Sequence, residues 1–168
     1  MQDDYQKKLN SWKRKLGCSM SSFSTLSGLF TYVEKSIEEV LNNEVSTKGK
    51  ELLKKSMQEK IYSRPVNSYP RTEELLNSSD SSFESHGNIK LLNIFNNTSG
   101  SFMPSGHPSW VDGSNQNENI PLWLEFGNGD AIYPYSGTGY FAFMVERLRT
   151  QLKPTIIKGL KKRGIDAI

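Results

Sequence analysis

The chain has little of what active sites and metal centres are built from. Its 168 residues include one cysteine, Cys18, and two histidines, His86 and His107. A lone cysteine forms no internal disulfide, and one thiol with two imidazoles leaves a Cys/His zinc site short of ligands. No apolar run approaches the roughly 20 residues needed to cross a bilayer. Mean hydropathy is −0.59, so neither a transmembrane helix nor membrane attachment is expected. The start from Met1 to Tyr5 lacks a basic segment leading into an apolar one, so a soluble chain made in the cytoplasm is expected. Apolar residues are scarce too. They make up 35% of the chain, or about 39% when glycine is counted and tyrosine is not, against a usual ~45–50%. What is present argues for a fold: 3 Trp, 7 Tyr and 8 Phe are too many for a solvated tail. The length suits one domain of ordinary size.

The net charge of +3 conceals blocks. Residues 73–130 carry eight acids and one base, whereas residues 131–168 carry seven bases and two acids. An acidic middle beside a basic end suits a subunit whose faces meet head to tail, or two segments that pair within one fold.

Residues 1–22 show no sustained period and read as a flexible N-terminal arm, with Trp12 among Lys13, Arg14 and Lys15. From residue 23 a single domain is expected. Ser24 or Thr25 can cap a helix whose stripe runs through Leu26, Leu29, Phe30, Val33, Ile37, Val40 and Leu41 at helical spacing. The stripe continues through Val45, Leu52, Leu53, Met57 and Ile61. The poor helix formers Asn42, Asn43 and Gly49 predict a break or bend near residues 43–46, with Ser46 or Thr47 recapping. Pro65 and Pro70 end the helical region, and Thr72 can cap one further turn. Ser78 to Gly87 reads as turn-prone, and Ile89 to Asn96 as a strand. Residues 97–119 form a long polar loop. Ile120 to Gly127 reads as a strand with Pro121 at its start. Because Trp123, Leu124 and Phe126 would then point to both faces, that strand is either buried or covered by another subunit. A helix follows from near Phe141, kinked or restarted at Pro154 and stopped at Gly164, with Lys161, Lys162 and Arg163 in its last turn.

Catalytic patterns fail. No nucleophile elbow accompanies either histidine. A calcium loop starting at Asp112 would need glycine sixth and glutamate twelfth, where Asn117 and Trp123 stand. Only Asp112, Glu118 and Asp130 could supply an acidic metal cluster for a hydrolase or nuclease. Ser136 to Gly139 before a helix could cradle an anion on backbone N–H groups, but lacks the lysine of a phosphate-binding loop. No catalytic residue, metal or cofactor is therefore expected. Two basic clusters remain, Lys13 to Lys15 beside Trp12, and Lys158, Lys161, Lys162 and Arg163. Both are candidates for facing DNA.

One ordered constellation is more specific. Ile61, Tyr62 and Ser63, then Pro65, then Tyr69, Arg71 and Thr72, then Leu75 and Ser78 follow the long helix. Pro121, Trp123, Glu125 and Gly127 come later, before a helix introduced by Phe141, Phe143 and Met144. The set resembles, in order and spacing over roughly residues 25–165, the neck or tail-completion (head–tail joining) family of long-tailed bacteriophages. The resemblance implies a non-enzymatic virion protein that forms a homo-oligomeric ring, six or twelve copies by analogy. That ring would sit in the neck between the head connector or adaptor and tail proteins, assembling in the host cytoplasm and passing genomic DNA. Its interface candidates are Tyr62, Tyr69, Arg71, Thr72, Trp123, Glu125, Phe126 and Phe141. A tail-tube terminator ring and a basic DNA-binding phage protein are the alternatives. The fold expected is α+β: a long N-terminal helix region, a small antiparallel sheet and a C-terminal helix.

Overall fold

A computed structural model describes residues 7–8, 10–11, 25–63, 73–98, 120–128 and 135–167. Most of the N-terminal arm lies outside them, as do Tyr69, Arg71, Thr72, His107, Asp112, Glu118 and Asp130. The architecture is α+β, with a long helical region, a two-stranded antiparallel hairpin and a C-terminal helix.

Thr25 starts helix α1 (Leu26–Val40), its Oγ1 accepting from the N–H of Gly28 at 3.1 Å. This satisfies one of the first-turn donors that have no partner within the helix. Where a break or bend was expected, the chain stays helical through one π turn, Leu41–Val45, into α2 (Ser46–Met57). Ser46 therefore recaps nothing: its own N–H donates five residues back to Leu41. The wider turn lets Val40 and Val45 both be buried, although residues five apart on an α-helix diverge by about 140°. Asn42 and Asn43 sit on its exposed side. A second π turn, Gln58–Tyr62, ends the region. Gly49 is no interruption. A Cβ there would stand 2.0 Å from the Ile94 side chain, so only glycine lets a strand residue lie against the helix.

A four-residue helix, α3 (Glu74–Asn77), follows without a side-chain cap, so the turn expected from Thr72 starts later. The serine-rich stretch read as turns is strand β1 (Ser79–His86), and it pairs with β2 (Ile89–Asn96). Serine is a poor strand former, but pairing and half-burial decide strand formation more than intrinsic preference does. Gly87 takes φ +58 and Asn88 keeps a negative φ, the pattern of a type II′ two-residue hairpin turn. Glycine followed by asparagine between two runs is itself a hairpin signal.

The run from residue 120 is the main correction. It forms helix α4 (Ile120–Phe126), and only β3 (Gly127–Asn128) is strand, paired with β4 (Tyr135–Ser136). Pro121 lies in the first helical turn, where a missing N–H costs little, and a short apolar run has no period that separates helix from strand. The interface argument from two apolar strand faces therefore lapses.

Helix α5 (Tyr140–Lys162) continues through Pro154 rather than restarting. Its end is a Schellman motif: the Gly164 N–H donates to Lys161 and the Ile165 N–H to Leu160. Leu160 and Ile165 are buried in one cluster, the apolar contact that accompanies such caps.

The chain divides into two compact units. In the first, drawn from Met1–Thr47, Phe83–Leu92 and Thr150–Ile168, Val40, Val45, Leu160 and Ile165 form the core, flanked by Tyr32, Ile37, Leu92 and Ile156. In the second, drawn from Lys48–Ser82 and Asn93–Arg149, the core is Leu52, Leu53, Met57, Ile61, Leu75, Leu76, Tyr140 and Met144.

Gly164 holds φ +74, a conformation that side chains resist. Gly164→Ala is expected to lower stability by about 1 kcal/mol, measured by urea denaturation, with the far-UV spectrum unchanged.

Candidate functional site

Within the second unit, α4 and the start of α5 build a corner. Gly139 leaves the first N–H groups of α5 without a side-chain cap of its own. The carboxylate of Glu125 closes it instead: Oε2 accepts from the Phe141 N–H at 2.7 Å and Oε1 from the Ala142 N–H at 3.0 Å. A carboxylate there meets the positive end of the helix dipole. The Thr138 N–H and hydroxyl both donate to the Leu124 carbonyl, and the Gly139 N–H to that of Glu125. A Cβ on Gly137 would fall 2.4 Å from the Glu125 oxygen, so the two backbones approach this closely only over glycine. The Thr138 and Gly139 N–H groups, in the stretch that could have cradled an anion, donate to carbonyls instead, and the Glu125 carboxylate is held by those of Phe141 and Ala142.

Behind the corner runs a buried polar chain. Tyr140 is fully buried, and its hydroxyl donates to Asn96 Oδ1 at 2.8 Å. Asn96 Nδ2 donates to Ser78 Oγ at 2.9 Å, and Ser78 Oγ donates to the Leu75 carbonyl at 2.7 Å. Burial, assisted by the negative charge of Glu125, pushes the Tyr140 phenol far above its ordinary value.

On the same unit's exterior, Arg147 grips Glu59 with two bonds of 2.9 Å. Lys60 and Arg147 also stand 4.3 and 4.0 Å from the Phe143 ring centre. The pair with Arg147 holds the Glu59 carboxyl below its usual range.

In the first unit, Lys90 bonds Glu34, Glu38, Ser85 and the Gly87 carbonyl. Its side chain is 12% exposed. Arg163 reaches Glu39, both oxygens of Glu44 and the Gly159 carbonyl. Its guanidinium holds Glu44 below the ordinary carboxylate value, with burial opposing. His86 Nε2 meets Glu84 at 3.0 Å, whereas the Ser85 hydroxyl donates to Glu38. Serine and imidazole are thus not arranged as nucleophile and base. Among the described residues no three His, Cys, Asp or Glu side chains converge on a metal position, and no helix is long and apolar enough to cross a membrane.

Of the eight interface candidates, Tyr69, Arg71 and Thr72 lie outside the described residues, and Trp123 has only its backbone within them. Tyr62 and Phe141 are half-buried against the second core. Phe141 meets Tyr140 edge-on, with ring centres 5.7 Å apart. Glu125 is a helix cap. Phe126 is 77% exposed, and Leu122, one helical turn earlier on α4, is 55% exposed. On β2 in the first unit, Ile89 and Leu91 are 69% and 44% exposed, alternating with the inward Lys90 and Leu92. Of the DNA-facing candidates, Lys158, Lys161 and Lys162 are exposed, and Arg163 is turned to Glu39 and Glu44. The Tyr140–Asn96–Ser78 chain escaped sequence reading, because nothing local relates three polar residues so far apart.

Comparison with protein-family models, curated proteins and solved structures finds no match to the chain.

Two outcomes test this construction. Glu125→Ala is expected to cost about 1–2 kcal/mol of stability in denaturant, and Glu125→Gln less, since the amide oxygen still accepts one bond. Folded Tyr140 keeps its proton where the unfolded phenol, near 10.0, loses it, so the folded state binds more protons and stability falls as pH rises past that value. Tyr140→Phe is expected to lose about 1–2 kcal/mol at neutral pH. It should also show a shallower decline than the parent between pH 9 and 11, about one unit either side of the ordinary phenol value.

Proposed function

We propose that the chain is a non-enzymatic structural subunit of the neck of a long-tailed bacteriophage, closing a ring of its own copies between head connector and tail. The observation that carries this reading is apolar surface left open on a chain with two modest cores. Leu122 and Phe126 form one ridge of α4, and Ile89 and Leu91 stand on the open side of β2. Large apolar side chains exposed in neighbouring pairs are where another chain can sit. A cyclic ring needs two different patches per subunit, one docking on the other in the next copy. The ordered motif from Ile61 to Ser78 and from Pro121 to Gly127 adds the family resemblance. Glu125 caps α5 and so sets the corner that carries Phe126 and Leu122, while Tyr62 and Phe141 pack half-buried against the second core.

Native mass spectrometry of the chain extracted from particles is expected to give a closed oligomer of six or twelve copies, and immunolabelling is expected at the head–tail junction. Leu122→Ser with Phe126→Ser, or Ile89→Ser with Leu91→Ser, should yield single subunits with an unchanged circular-dichroism melt. A chain that is absent from particles and of one-subunit mass at every concentration overturns the reading.

A further inference from the structure

Helix α5 is cationic in a way that the other elements are not. From Arg147 to Ile165 there are seven cations and no carboxylate. Arg163 is held inside the first unit by Glu39 and Glu44, with 18% of its side chain exposed. Lys153, Lys158, Lys161 and Lys162 are all exposed. Five of the six described carboxylates of that unit already face a lysine or arginine, and the sixth, Glu84, meets the His86 ring. Glu34 and Glu38 face Lys90, Glu39 and Glu44 face Arg163, Glu84 faces His86, and Asp166 lies 3.6 Å from Lys161. Lys153 and Lys158 form no ion pair among the described residues, and Lys162 reaches Glu44 only as a charge at a distance. The helix dipole accounts for cations in the last turn, Lys161 and Lys162, but its influence fades before Lys158 and Lys153. A merely solvated face mixes signs, as α1 does with Glu34, Lys35 and Glu39.

We propose that Lys153, Lys158, Lys161 and Lys162 form a contact surface for the phosphate backbone of a nucleic-acid duplex, bound without reading its sequence. The arginine fork, which suits paired carboxylate oxygens, is turned inward at Arg163. The outward charges are compact ammonium groups, which hold phosphates as point charges. A membrane-surface helix would set large apolar residues beside its lysines, and no large apolar residue between Thr150 and Lys162 is exposed. Successive lysines rise about 7.5, 4.5 and 1.5 Å along the axis and spread over about half its circumference, so they offer a broad positive face rather than a row matched one to one to phosphates about 3.4 Å apart on one strand. Binding of this kind needs only the folded first unit and is independent of ring closure.

The test is fluorescence anisotropy of a labelled DNA duplex with the full chain, titrated between about 50 and 200 mM salt. Four neutralised phosphates predict a log–log slope of about −3 to −4. Replacing all four lysines by glutamine should weaken binding at the lowest salt at least about tenfold and bring the slope close to zero. Lys153→Gln with Lys158→Gln should lower the slope by about 2, whereas Lys35→Gln on α1 should change nothing. No binding by the parent chain at the lowest salt overturns the proposal, as does unchanged binding by the fourfold variant. Tighter binding to polyglutamate or to anionic phospholipid vesicles than to the duplex also overturns it, in favour of an acidic protein or a membrane.

Discussion

A phenol buried without water must find an acceptor, and the second unit is arranged around that requirement. The Tyr140 ring sits in the core formed by Leu53, Met57, Leu76 and Met144, so its hydroxyl has no route to solvent. Asn96 at the end of β2 accepts from it, and Asn96 is in turn oriented by Ser78. An unpaired hydroxyl at this depth would cost more than the bond itself contributes. The constraint ties the first residue of α5 to the last residue of the hairpin. It also fixes where α5 begins, and hence where Glu125 must stand to cap it. A neutral phenol and an ionised carboxylate at one helix start are compatible, because the carboxylate draws on the helix N–H groups while the phenol keeps its proton.

The first unit solves its electrostatics differently. Its interior cations, Lys90 and Arg163, are each embraced by two glutamates from the N-terminal helical region. The shift is downward for Glu38 and Glu44 and upward for Lys90 and Arg163, each driven first by the hydrogen bond to the partner. Below the ordinary glutamate value of 4.5 the unfolded carboxylates take up protons before the folded ones do, so this part of the stability disappears on acidification. Using the glutamates in this way has a consequence at the surface: Lys153 and Lys158 of α5 form no ion pair among the described residues, and Lys161 has only the exposed Asp166.

Apolar surface follows a similar logic. A two-stranded hairpin covered on one side only, and a short helix anchored through Leu124 and Glu125, each leave a hydrophobic side outward. Ile89, Leu91 and Phe95 on the hairpin and Leu122 and Phe126 on the helix are the residues so exposed. A subunit of a larger assembly has use for such faces, and that is the part of the proposed neck role which rests on this chain's own chemistry rather than on likeness.

Periodicity alone determined a good deal. The stripe from Leu26 to Ile61, the threonine cap, the strand at Ile89 to Asn96 and the helix ending at Gly164 were all legible, because each depends on local spacing and local turn chemistry. The hairpin partner is not legible, because serine says little about strand pairing, although Gly87 with Asn88 signals the turn. The run from Ile120 is ambiguous, because seven apolar-rich residues carry no decisive period. Only tertiary structure decided that Glu125 caps a helix fifteen residues further along, that Arg163 turns inward while its lysine neighbours do not, and that Asn42 and Asn43 mark a widened turn instead of a break. In each case the deciding partner lies outside the local stretch or on another face of the same element. The free energy of a polar or charged group depends on what the fold brings within hydrogen-bonding reach, which no window along the chain contains.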